Sequence, residues 1–424
     1  MQKLKLKGGA LQLTLCIVVV IALLLMAFML FTHIHNRFSS QKELILQTIK
    51  NSYKGVDYML LNNLVENDSI SIELQSNYKT LKVHRDYWGV FERVTCASKA
   101  KNITIKKMAL VGGIQSGTER TALYLQDNNQ PLVVVGNTKI KGLSYLPQKG
   151  VKSGSISGQS YYGTQLIYGA KKTSRQLPQL HPEIIQQIQN LKDKYLEAKP
   201  EQFLDHTSGN TFHNSFFNPT QFIFSNNKIY LSRIELLGNI IIQSKTKITV
   251  DKFSNLKDVI LIAPEIKIQD DVTGYFQGFA DKNITVGSNV KLDYSTALVL
   301  GENRTLYIDS NQSDKQTSKI LIGSGSIIKG SVIYLGKPKS NNHESQIELQ
   351  DYSSVFGEVY SNQNIDLKGT VRGSVYTNHF ITKQNGSIYL NHIYNGTINI
   401  YGLSQEYVGV KLSNSKKAVV KWLY

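Results

Sequence analysis

Cysteine is nearly missing. Two in 424 residues, Cys16 and Cys96, exclude a disulfide scaffold and any zinc site built from cysteines. Proline is scarce at 8, and charged residues make up only 19% against 41% hydrophobic, so the chain is not disordered throughout. No Gly-x-Ser-x-Gly elbow, His-Glu-x-x-His or Cys-x-x-Cys occurs. The run Gly323-Ser324-Gly325-Ser326-Ile327-Ile328 fails as a dinucleotide fingerprint because it lacks the third glycine. Acid is also short: 31 Asp and Glu face 48 Lys and Arg, a net charge of +17. Residues 1–37 hold four of the basic residues and no acid, which leaves +13 for the rest. The length implies two or three units at ~150 residues each.

What is present begins with a run of 22 uncharged residues, Ala10 to Phe31 (ALQLTLCIVVVIALLLMAFMLF). A hydrocarbon layer of ~30 Å needs about 20 helical residues, so the run is long enough to span one. It exceeds the ~7–15 apolar residues of a signal peptide and lacks an Ala-x-Ala site at a sensible place, so a retained membrane helix over 10–32 is expected. Lys3, Lys5 and Lys7 precede it; Arg37, Lys42 and Lys50 follow. The short, wholly basic tail at 1–9 favours a cytoplasmic N-terminus by a small margin, with the C-terminal part periplasmic or extracellular. Helical spacing of Leu44, Ile45, Ile49, Val56 and Leu60 continues the helix over 33–64, and alternation at Ile70, Ile72 and Leu74 opens a strand-rich region over 65–130.

Lys7-Gly8-Gly9-Ala10-Leu11 before a long apolar helix resembles the start of PilX-type minor pilins and of the K-type pseudopilin of type II secretion. Ile49–Tyr58 is similar to their post-membrane helix, and Trp88-Gly89-Val90-Phe91-Glu92-Arg93-Val94 to the strand after it. The resemblance implies a bacterial inner-membrane protein that works with envelope, pilus or secretion proteins. Pilins generally carry Glu five residues after the processing point. A cut after Gly9 puts Thr14 there, and K-type pseudopilins lack that Glu too.

From about Leu132 the texture changes to short β-forming bursts separated by Gly, Asn and Ser: LVVVG, NIIIQ, TKITV, VILIA, EIKIQ, NITVG, KILIG. Hairpin dipeptides are sparse (Asn385-Gly386 and Asn395-Gly396), and one phrase recurs around Gly330, Gly357 and Gly373. Both facts favour a coil of parallel strands over a sandwich. Val355–Asn378 resembles the bactofilin core, which implies a right-handed parallel β-helix. The expected fold is therefore mainly β: a β-helix over 131–400, with a helical excursion at 182–198 packed on it and a C-terminal cap at 401–424. In the coil Val355, Val359, Val371 and Val375 point inward, while Glu358, Arg372 and Ser374 face water. A lesion at Val371 should loosen the C-terminal turns before the region near Ile140.

No residues read as catalytic, cofactor-binding or metal-binding. His206 and His213, with Asp205, lie in a polar loop without a third ligand. Asp270 and Asp271 would suit sugar chemistry only if the chain turns there, and a solvated corner explains them as well. Basic residues at 101–107, 139–152 and 171–175, with Tyr161, Tyr162 and Tyr168, suit an anionic glycan or nucleic acid, or simply a soluble surface. The expectation is a non-enzymatic, membrane-anchored protein displaying a rod for assembly or adhesion. Its rivals are a membrane-tethered, bactofilin-like scaffold that self-assembles and a β-helical protein that binds or cleaves glycans.

Overall fold

The computed structural model describes residues 9–62, 64, 67–74, 79–115, 120–205, 209–301, 318–337 and 342–423. The chain divides into two units: one of 1–59, 69–84 and 95–107, the other of 60–68, 85–94 and 108–424. One antiparallel sheet has the order β1 (Ser69–Ile72), β2 (Lys79–Trp88), β3 (Phe91–Ala100), β4 (Ile103–Ile114) and β5 (Lys416–Leu423).

In the first unit, helix α1 (Gly9–Leu61) is unbroken, as the continuous helical spacing predicts. Ala10–Phe31 is exposed throughout, and burial of whole residues begins only at Thr48.

The second unit is dominated by parallel strands in three columns, visited in turn. Gln221–Ser225 pairs with Ile240–Ser244, and Ile229–Leu231 with Lys247–Val250. Thr211–Asn214 pairs with Glu235–Gly238. Lys247 lies opposite Glu265, and Glu265 opposite Asn283, an interval of 18 residues. A longer interval, the 27 between Gly330 and Gly357, leaves the register intact. The recurring glycine phrase marks one corner: Gly330, Gly357 and Gly373 stack directly, with φ of +147° to +153°. A Cβ at Gly357 would collide with the carbonyl of Gly330, and one at Gly373 with that of Gly357, so only glycine fits there.

Val355 and Val359 pair in parallel with Val371 and Val375, and all four are fully buried in one continuous interior. Arg372 is exposed, as expected, whereas Glu358 is half-buried and Ser374 does not face water. Ser374 is 1% exposed and donates to the Thr121 carbonyl at 2.6 Å, and Glu358 lies beneath residues 407–410. The column holding Ile241, Ile260, Val299 and Ile333 is covered on its outer side as well. That is why it reads as unbroken apolar runs (NIIIQ, VILIA), whereas the solvent-facing column alternates (KITV, EIKI). The cover comes from Trp88, Leu177, Leu180, Ile184 and Val410. The helical excursion is indeed packed there, although it is α only over α2 (Pro182–Asn190) and 3₁₀ over Leu191–Glu197, with Leu196 exposed.

The stacking order differs from the order of the sequence. Leu123 lies opposite Val375, Val133 opposite His392, and Ile140 opposite Ile398. Residues 121–173 therefore extend the end formed by 370–399, while the winding restarts at the other end with Thr211. Three placements change accordingly. Residues 121–125 belong to the parallel stack, not to the antiparallel region. Residues 416–423 are an edge strand on β4, not a cap on the stack. Ile140 is only two turns from Val371, with Ile398 between them, so it is not remote from a lesion at Val371. Local periodicity sets which side of a strand is buried but not which turn is its neighbour, so this swap left no trace in the pattern.

Candidate functional site: an apolar stem and a buried charge node

Within the first unit the stem is α1. Its buried stripe is Thr48, Ser52, Gly55, Val56 and Met59. Of the positions chosen by apolar spacing, only Val56 is fully buried and Ile45 is exposed, because the close face is made of small residues. A Cβ on Gly55 would stand 2.9 Å from Cys96 Sγ and 3.2 Å from both Leu81 and Val83, so the helix seats on β2 and β3 at glycine distance. Thr48 and Ser52 direct their hydroxyls to the carbonyls of Leu44 and Ile49, both at 2.7 Å, which satisfies them without an outside partner. Burial, with the charge of Asp57, pushes the Cys96 thiol up to about 12, so this cysteine is inert. Thr14 donates its hydroxyl to the Leu11 carbonyl at 2.9 Å.

Within the second unit, Trp88–Phe91 is a hairpin tip rather than continuous strand: Gly89 takes φ +62° in the turn. The buried amide of Gln277 holds this tip, accepting from Val90 N–H at 2.9 Å and donating to the Trp88 carbonyl at 3.0 Å. Trp88 itself donates Nε1–H to the Asp258 carbonyl at 3.1 Å.

Behind the tip lies a node of charge. Glu92, 2% exposed, faces three cations: Lys417 at 2.9 Å, Arg85 at 3.1 Å and Lys411 at 3.3 Å. Arg85 also pairs with Glu183 in the first turn of α2, and Tyr87 donates to the same carboxylate at 2.8 Å. Burial alone would raise the Glu92 carboxyl, but Lys417, Arg85 and Lys411 together hold it below the usual carboxylate range. Lys417 is lowered by burial, with Glu92 opposing. The node joins β2, β3, α2, β5 and the segment carrying Lys411 around one carboxylate. None of its members was singled out from the sequence. The available signal was parity: Arg85 shares the buried side of β2 with Tyr87, and Glu92 that of β3 with Val94.

A second carboxyl, Glu358, is half-buried against residues 407–410 and accepts from Val410 N–H at 3.1 Å. Burial drives it from 4.5 up to about 7, against the pull of that N–H and of Arg120. A raised carboxyl favours the fold fully below the unfolded value near 4.5, and the advantage drains away as pH rises towards 7. Above that the group costs about 3 kcal/mol. Glu358→Gln, which keeps the acceptor, should therefore raise the melting temperature by several degrees at pH 8 and leave it unchanged at pH 4.5. Equal melts at pH 8 would refute the assignment.

Asp270 and Asp271 do sit on a turn, and both are exposed; Asp270 accepts from Ser288 N–H at 2.8 Å and braces the corner. His213 lies 3.8 Å from Glu235 with its side chain 56% exposed. His206 falls outside the described residues. Among the described residues no group of three His, Cys, Asp or Glu could hold a metal ion.

No protein-family model and no curated protein matches the chain. Among solved structures, the chain is similar to the competence-associated pilin ComZ from Thermus thermophilus. Identity is 9%, coverage is 85% of this chain and 86% of that one, and the TM-score is 0.17. At those values the likeness carries no argument.

Proposed function

We propose that the chain is a non-enzymatic, single-pass envelope protein of pilin-like or secretion-apparatus type. Its stem anchors it in the inner membrane, and its parallel columns form a right-handed β-helix displayed outside as a rigid rod for assembly or adhesion. The observation that carries this reading is the form of α1 in its own unit. Its uncharged first half is bare of protein contacts, and its last turns are seated on an antiparallel sheet through Ser52 and Gly55. A helix solvated on every side with that composition needs a lipid or protein surrounding.

The protein should remain with membranes through alkaline extraction, and a periplasm-dependent reporter fused after Tyr424 should be active. A silent reporter would instead place the columns in the cytoplasm, as a tethered, self-assembling scaffold requires. A mature N-terminus beyond residue 31 would rule out the anchor, whereas one at Gly9 or Ala10 would point to pilin-type processing.

A further inference from the structure

The stack has one end of unusual charge. From residue 128 to 182 the chain carries seven Lys or Arg and no Asp or Glu. Lys171–Thr173 pairs only with Ser144–Leu146, and Val151–Ser153 only with Leu132–Val134; among the described residues no strand covers their other edges. Lys139, Lys149, Lys152, Lys171, Lys172 and Arg175 are all exposed around these last turns. The nearby Asp127 turns its carboxylate to the N–H groups of Asn129 and Gln148. Lysines at an open edge deter edge-to-edge pairing, which would account for Lys171 and Lys172 but not for a 55-residue stretch free of acid.

We propose that this end is a docking surface for a linear acidic polysaccharide. Two features favour a glycan over nucleic acid. The rings of Tyr145 and Tyr168 already lie under the ammonium groups of Lys172 and Lys139, at 5.7 and 5.6 Å, so they do not offer open faces to bases. Residues 153–165 expose a run of Ser, Thr and Gln groups that match sugar hydroxyls, and Tyr162 among them is 62% exposed, so its ring can lie on a sugar face. This surface does not depend on how the stem is used.

The test is binding by the full-length chain in detergent to polygalacturonate, to neutral dextran and to a short DNA duplex, at low and moderate salt. Polygalacturonate should bind, more weakly as salt rises, and dextran should not. The triple variant K149Q/K171Q/K172Q should bind at least ten-fold more weakly with an unchanged melting temperature. Tyr162→Ala should lose affinity without changing the salt dependence. The proposal fails if polygalacturonate does not bind at low salt, if the triple variant binds like the parent, or if the duplex binds more tightly than the glycan.

Discussion

Replacing Val359 with Asp is expected to cost at least ~3 kcal/mol, or to force the new carboxyl to stay protonated, because it would be buried without a partner. Val359 is fully buried between Val332 on one turn and Val375 on the next. Arg372→Gln, on the exposed side of the adjacent strand, should stay within ~0.5 kcal/mol. The contrast is measured by thermal melts of the detergent-solubilised chain. The stacking order also predicts how the damage spreads. Turns couple chiefly to their neighbours. Hydrogen exchange should therefore quicken first at 331–335, 374–377 and, despite its distance in sequence, 121–125, where Leu123 faces Val375. Residues 221–225, at the opposite end, should be protected longest. Exchange that quickens at 221–225 while 121–125 stays protected would contradict the swapped order.

Much of this architecture was legible because it rests on local patterns. The uncharged run from Ala10, the alternation in KITV and EIKI, and the glycine corner at Gly330, Gly357 and Gly373 each follow from a single strand or helix and its solvent. The parts that escaped depend on distant neighbours. Glu358 and Ser374 lie on the outward parity, but residues 407–410 arrive from elsewhere to cover Glu358 in part, and the turn carrying Thr121 closes over Ser374. The helix stripe was missed for a different reason: apolar spacing looks for bulk, and the seat of α1 is made of Ser52 and Gly55, where closeness matters more than hydrophobicity. The charge node was legible only as a violation, with Arg85 and Glu92 on parities otherwise apolar. Such violations need partners that strand-by-strand reading does not supply, here Lys411 and Lys417 more than 300 residues further on.

That node sets the other large effect. Glu92→Gln should destabilise the protein by ~3–5 kcal/mol at pH 7, because it leaves Arg85, Lys411 and Lys417 facing a neutral amide with Glu183 as the one remaining carboxylate. The sign of the pH dependence follows from the depressed pKa of Glu92. Its contribution is complete above the unfolded carboxyl value of 4.5 and is lost as pH falls through the lower folded value. Parent and variant melts should therefore differ fully from pH 5 to 8 and converge only in stronger acid, opposite to the behaviour expected of Glu358. Adding Lys417→Met to Glu92→Gln should recover part of the loss, since it removes one of the stranded cations, while Lys417→Met alone should be destabilising. This double-mutant cycle separates pairing from mere packing. If Glu92→Gln melts with the parent at pH 7, or if Lys417→Met deepens its loss additively, the ion pair does not hold these strands together.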